Sequence, residues 1–143
     1  MLYISQILIL LIVLVKNNEH TLTISFENIR DNNGTILVGI YTDEKGWKKK
    51  TPTYEMIISK TSLIDGRLSS TIPELKEGVY GIAVLDDVND NQVVDMGFIF
   101  PKEGFGFSNY EHKTWFLPAF EDFDFDYPQV NKITIRMRYL EED

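Results

Sequence analysis

The sequence contains no cysteine. That excludes disulfides, thiolate metal sites and a cysteine nucleophile, and says nothing decisive about redox compartment. Histidine is scarce, present only as His20 and His112, so a zinc centre built from several His or Cys ligands cannot be assembled. Positive charge is in deficit: 14 Lys and Arg stand against 22 Asp and Glu, a formal net charge of −8. Nucleic-acid-binding proteins carry a basic face, so no nucleic-acid partner is expected. The acidic balance favours solubility and attraction to cations. No long helix-period segment and no internal repeat occur. His112 follows Ser108 by four residues, but nothing resembles a nucleophile elbow. Glycosidase-type carboxylate pairs stay open, because separation cannot be read from sequence. The constellation an enzyme needs is missing, and the chain reads as non-enzymatic, with a hydrolase as the third choice.

What is present begins with an apolar N-terminus. Leu2 to Val15 is almost wholly apolar, broken by Ser5 and Gln6 and closed by Lys16-Asn17-Asn18-Glu19. A membrane span needs about 20 apolar residues, whereas a signal peptide has an apolar region of about 7–15. Residues 1–19 therefore read as a signal peptide or N-terminal apolar segment, although no Lys or Arg precedes the run and no small-x-small site follows. The expected localisation is export, to the periplasm, the outer surface or the medium. A membrane would be touched only through this segment, if it is not cleaved. Residues 20–143 make a single domain, long enough to bury a core without staples.

Period-two patterns dominate that domain. Thr21 to Phe26 places Leu22, Ile24 and Phe26 on one face, the mark of a half-buried strand. Asp31-Asn32-Asn33-Gly34 is a turn cluster, and Asn-Gly is a strong hairpin signal. With Thr35 to Thr42 as the returning strand, a hairpin is expected. Asp43 to Thr53 reads as a loop, its four lysines around Trp47, with Trp47 folded onto the rim. Tyr54 to Lys60 and Arg67 to Ile72 are further strands. Tyr80, Ile82 and Val84 alternate with Gly81, Ala83 and Leu85, so both faces are apolar or small, as in a central strand covered on two sides. The Gly-x-Tyr at its start fits a tyrosine corner, where the hydroxyl ties a crossover loop to backbone. Gly97 to Asn109, rich in Gly and Phe, reads as a compact loop. Glu121 to Asp126 alternates carboxylate and Phe like an edge strand with protective charge. Ile133, Ile135, Met137 and Tyr139 form the inner face of a closing strand. Many short strands with turns between them argue for a β-sandwich.

One loop carries chemistry. Between Asp87 and Asp95, oxygen-bearing residues recur at alternate positions: Asp87, Asn89, Asn91, the carbonyl of Val93, and Asp95. Ca²⁺ takes about six to eight oxygen ligands, and loops of this alternation supply them. A further carboxylate can come from Asp86, Asp90 or, by folding back, Glu103. The loop is not an EF-hand, which wants Gly at the sixth position and Glu at the twelfth; Gln92 and Phe98 stand there. With few charges the expected affinity is weak, about 10⁻⁴–10⁻³ M. The bland reading is an Asx-rich turn whose side chains bond their own backbone. Trp47, Phe105, Phe107, Tyr110 and Trp115 offer an aromatic platform beside the loop, in the manner of small-molecule sites; the alternative is that they fill the core.

The run Gly78-Val79-Tyr80-Gly81-Ile82-Ala83-Val84-Leu85-Asp86-Asp87-Val88-Asn89-Asp90-Asn91, then Asp95-Met96-Gly97, then Pro101-Lys102-Glu103-Gly104-Phe105-Gly106-Phe107-Ser108-Asn109, resembles the DUF2141 family of small exported bacterial proteins. The resemblance covers most of Thr21 to Leu140. It implies a transthyretin-like or immunoglobulin-like Greek-key β-sandwich, and no activity, because the family's function is uncharacterised. Two departures stand out: Gly81 where Ala is usual, and Phe98-Ile99-Phe100 where a shorter step is usual. The expected function is a structural or adhesive role at the cell envelope, with a Ca²⁺-ordered loop and an envelope or extracellular ligand. A calcium-dependent carbohydrate-binding module is the alternative.

Overall fold

The computed structural model describes residues 21–92 and 103–140. Among these residues, eight strands form two sheets. They are β1 (Leu22–Glu27), β2 (Thr35–Tyr41), β3 (Tyr54–Ser59), β4 (Leu68–Ile72), β5 (Gly78–Asp87), β6 (Phe105–Phe107), β7 (Asp124–Tyr127) and β8 (Lys132–Arg136). The smaller sheet runs β4-β1-β8; the larger runs β3-β2-β5-β6, with β7 also on β5. The inward alternation expected for the first strand holds, since Leu22, Ile24 and Phe26 are buried. The closing strand behaves the same way, with Ile133, Ile135 and Met137 buried.

The expected hairpin is absent. β1 pairs with β4 antiparallel and with β8 parallel, while β2 pairs with β3 and β5. Asn33-Gly34 therefore turns a crossover between sheets. Gly34 adopts φ +69°, and a Cβ there would lie 1.8 Å from the Asp87 carbonyl oxygen. The turn is pressed against the end of β5, so it needs the conformational freedom of glycine and its lack of a side chain.

Two apolar layers result. The inner layer lies between the sheets and is mainly aliphatic: Leu22, Ile24, Ile36, Val38, Ile40, Ile82, Val84, Ile133 and Ile135, joined by Phe26, Tyr80, Phe125 and Tyr127. The outer layer covers the far face of the larger sheet and is mainly aromatic: Tyr41, Trp47, Phe105, Phe107, Phe120 and Phe123 around Leu85. Hence β5 is apolar on both faces. Gly81 belongs to this second interface. A Cβ on it would meet the Phe120 and Phe123 rings at 2.7 Å, and that close approach explains glycine at this position.

Other expectations are refined. The lysine-rich loop contains a one-turn helix, α1 (Glu44–Lys48), started by Asp43, whose carboxylate accepts from the Gly46 amide at 2.7 Å. That turn carries Trp47 into the outer layer. The acidic-aromatic alternation begins in a second helical turn, α2 (Phe120–Phe123), before β7. Phe123 and Phe125 are both buried, but not on one face as expected: Phe125 enters the inner layer from β7, and Phe123, still in the helical turn, enters the outer one. Part of the glycine-phenylalanine segment is a true strand, β6, in register with β5: Ala83 faces Phe107 and Leu85 faces Phe105. Tyr80 donates its hydroxyl to the Lys76 carbonyl at 2.7 Å, the bond expected of a tyrosine corner. Beyond β8, Arg138 exchanges backbone hydrogen bonds with Phe105 at 2.9 and 2.7 Å. The last strand thus leaves the smaller sheet and stitches onto the larger. Among the described residues no helix is long and apolar enough to cross a membrane.

Candidate functional site

The oxygen-rich loop starts where β5 ends. Asp87 is fully buried. One carboxylate oxygen accepts from the Asn91 amide at 3.2 Å, and the other from the Gln92 amide at 2.7 Å. The Asn89 side-chain oxygen also accepts from the Asn91 amide, at 3.1 Å. Asp90 and Gln92 take positive φ, 55° and 57°, so the chain curls back over the Asp87 carboxylate. Thr35 donates to the Asp90 carboxylate at 3.1 Å and anchors the curl to the start of β2. Asp87, Asn89 and Asn91 are therefore brought together. Val93 and Asp95 lie outside the described residues. Glu103 is buried. Asp86 donates its amide to the Gly104 carbonyl at 2.7 Å, and the β5–β6 register carried two residues further sets Glu103 against Asp87. Among the described residues no group of three His, Cys, Asp or Glu side chains is placed to hold a metal ion.

A charged cluster that sequence reading passed over sits beside this loop, on the inner side of β5. Lys60 and Asp86 are both buried, at 2% and 0% exposure, and their side chains form a direct ion pair. The Lys60 ammonium also donates to the Asn33 carbonyl at 2.6 Å, and the Asp31 carboxylate lies 3.9 Å away. Tyr139 donates its hydroxyl to the other Asp86 oxygen at 2.5 Å. Burial, and then this hydrogen bond to the carboxylate, hold the Tyr139 phenol well above the usual tyrosine range. The Arg30 guanidinium lies over the Tyr139 ring, 4.3 Å from its centroid. The signal was available. Lys60 continues the alternation of Met56 and Ile58, and Asp86 continues that of Ile82 and Val84, so parity alone sends both charges inward.

The five aromatics of the expected platform do not form one surface. Trp47, Phe105 and Phe107 are buried and Tyr110 packs against them. Trp47 makes edge contacts with Tyr41, Phe107 and Phe123 at centroid distances of 5.1, 5.8 and 5.1 Å. Their large apolar area is placed where the outer layer needs filling. Trp115 alone is exposed, at 67%, and its neighbours Phe116 and Leu117 are exposed with it.

Ser108 and His112 have other employment. The Ser108 hydroxyl donates to the Phe123 carbonyl at 2.6 Å and accepts from the Ile82 amide at 2.9 Å. His112 packs against the Phe105 and Phe107 rings. Its Nε2 lies 2.7 Å from the Phe116 carbonyl and its Nδ1 lies 2.8 Å from Arg138 Nη1. A carbonyl can only accept and a guanidinium can only donate, which assigns the neutral tautomer with hydrogen on Nε2. Both residues pin loops to the outer layer.

Comparison with protein families gives a match over residues 24–135 to a model described as an uncharacterized protein conserved in bacteria, DUF2141. No curated protein matches the chain, and no solved structure does.

Proposed function

This chain belongs to the DUF2141 family, and on that premise we propose a non-enzymatic, exported β-sandwich protein with a structural or adhesive role at the cell envelope, its Asp87–Asp95 loop ordered by Ca²⁺. The observation that carries the reading is the buried Asp87 carboxylate at the base of the loop, with buried Glu103 following on the neighbouring strand's register. A carboxylate offers about four lone-pair positions. The Asn91 and Gln92 amides occupy two at Asp87, and in this reading a cation takes the others. Asn89 and Asn91 add amide oxygens; the Val93 carbonyl and Asp95 complete the set in this reading. Two backbone bonds already shape the loop's first half into a prepared base for an ion.

The finer fold within this proposal is a Greek-key sandwich of transthyretin-like or immunoglobulin-like kind. Consecutive strands change sheet between β1 and β2, β3 and β4, β4 and β5, and β7 and β8, and the Tyr80–Lys76 bond fits a tyrosine corner.

Thermal unfolding of the full chain in Ca²⁺, in Mg²⁺ and in chelator tests the ion. An ion held only by the folded state stabilises by about 2.7 kcal/mol at a hundredfold excess over its dissociation constant. The expected result is a Ca²⁺-selective rise in melting temperature that Asp95→Ala removes while leaving the chelated protein unchanged. Equal melting in Ca²⁺ and chelator up to about ten millimolar, beyond the weak-affinity range of extracellular calcium modules, reduces the loop to a turn.

A further inference from the structure

We propose that the segment from Lys113 to Pro118 is a membrane-docking tip that inserts Trp115, Phe116 and Leu117 into the interface of an anionic bilayer. This goes beyond the N-terminal segment as the sole membrane contact. The three side chains are consecutive and exposed at 67%, 80% and 39%. Isolated exposed apolar residues are ordinary, but a contiguous apolar patch marks a contact site.

The tip is held out by dedicated bonds. The two Nη1 hydrogens of Arg138 are shared among His112 Nδ1 at 2.8 Å, the Thr114 carbonyl at 2.9 Å and the His112 carbonyl at 3.2 Å. His112 Nε2 and the Thr114 hydroxyl both donate to the Phe116 carbonyl, at 2.7 and 2.9 Å. The Trp47 indole donates to the Pro118 carbonyl at 2.8 Å. Every second carbonyl from His112 to Pro118 is therefore satisfied within the protein. The same bonds limit the entropy lost on docking, since the tip is already ordered.

Charge selects the occupant. From His112 to Phe120 the chain has no Asp or Glu, although it carries 22 in all. Beside the tip, Lys113, Arg136 and Arg138 line a groove of about 340 Å³ that contains one carboxylate, Glu111. Glu111 pairs with Lys113 at 3.2 Å and Glu27 with Arg136 at 3.6 Å. Both pairs are exposed, where such contacts are weak and the cations can exchange partners for lipid phosphates. Exposed Trp, Phe and Leu side chains enter a bilayer without a preformed pocket, whereas a protein partner would have to supply one. Tryptophan favours the headgroup level, with its ring in apolar surroundings and its N–H wet.

The test uses the full chain with phosphatidylglycerol vesicles, phosphatidylcholine vesicles and brominated analogues. Trp47 and Trp115 are the only tryptophans. Subtracting the emission of the Trp115→Phe variant isolates Trp115, so the readout is blind to lipid contact by residues 1–19. The Trp115 component should shift to the blue with anionic vesicles and be quenched by brominated lipid. Phe116→Ser should suppress that quenching without changing the melting temperature. Lys113→Ala should weaken the anionic-vesicle interaction by about fivefold, the effect of about one basic residue near such a surface. A Trp115 component that neither shifts nor quenches while the chain sediments with vesicles overturns the proposal. So does self-association of the lipid-free protein that Phe116→Ser abolishes, which would assign the tip to a second copy of the chain.

Discussion

The two faces of the larger sheet solve the same burial problem with different materials. The inner face meets the smaller sheet through β-branched and aliphatic side chains, and its end is closed by the Lys60–Asp86 pair with Tyr139. Among the described residues the outer face meets no second sheet. It is roofed by two helical turns and a loop, whose sparse backbone contributes few side chains, so each must be large: Trp47, Phe120 and Phe123. Polar groups differ in the same way. Inside, charge neutralises charge. Outside, the Ser108 hydroxyl and the Trp47 indole satisfy backbone groups of the roof. Aliphatic packing between regular sheets needs periodicity. Aromatic packing under irregular chain needs tethers.

Breaking the inner device should cost most. Lys60→Met leaves Asp86 buried without its cation and should destabilise by about 3–5 kcal/mol in urea unfolding. Adding Asp86→Leu should restore most of that loss, because an apolar pair of similar volume no longer requires desolvated charge. A double variant as unstable as the single would mean the pair fixes the Asn33 crossover rather than only balancing itself. The outer tether is next. Ser108→Ala strands the Ile82 amide and the Phe123 carbonyl, a cost of about 1–3 kcal/mol. Slower hydrogen exchange at β7 than at β2 in that variant would contradict a role in holding the roof. The smallest effect near neutrality, and the most discriminating, is alkaline. Burial raises Tyr80, Tyr127 and Tyr139 along the inner layer, and Tyr41 in the outer. A phenol raised on folding stabilises fully below the unfolded value of about 10, and that contribution is lost as pH climbs through the folded value. Unfolding followed against phenolate absorbance should therefore show stability falling from about pH 10 upward. Tyr139→Phe should flatten that fall more than Tyr41→Phe.

Much of this was legible in the residues. Alternation at Leu22-Ile24-Phe26 and Ile133-Ile135-Met137 named the inner faces, and the double-sided run of β5 implied a second layer. Parity tells a strand which face is buried, however, and not which strand lies beside it. The Asn33-Gly34 signal was therefore real as a turn and misleading as a hairpin, because the partners of β1 lie far along the chain at Leu68–Ile72 and Lys132–Arg136. In the candidate site, the spacing from Asp87 to Asn91 marked the loop. The pairing of Lys60 with Asp86 escaped, although both continue an inward alternation, because parity does not name the neighbour across the layer. The aromatics divided differently from the expected platform. Trp47 lies deeper than the rim, because Asp43 starts a helical turn that buries it, and Lys50 caps its ring 3.5 Å from the centroid. Of the five platform residues Trp115 alone stands exposed, with Phe116 and Leu117 beside it.

The parallel pairing of β1 with β8 has a mechanical consequence. The first strand and the last point the same way, so traction applied to the start of one and the end of the other slides them along their common axis. Every rung from Thr23–Lys132 to Glu27–Arg136 then bears load simultaneously. An antiparallel terminal pair would instead peel rung by rung. A chain moored at one end and tugged at the other would meet this ladder as a shear clamp.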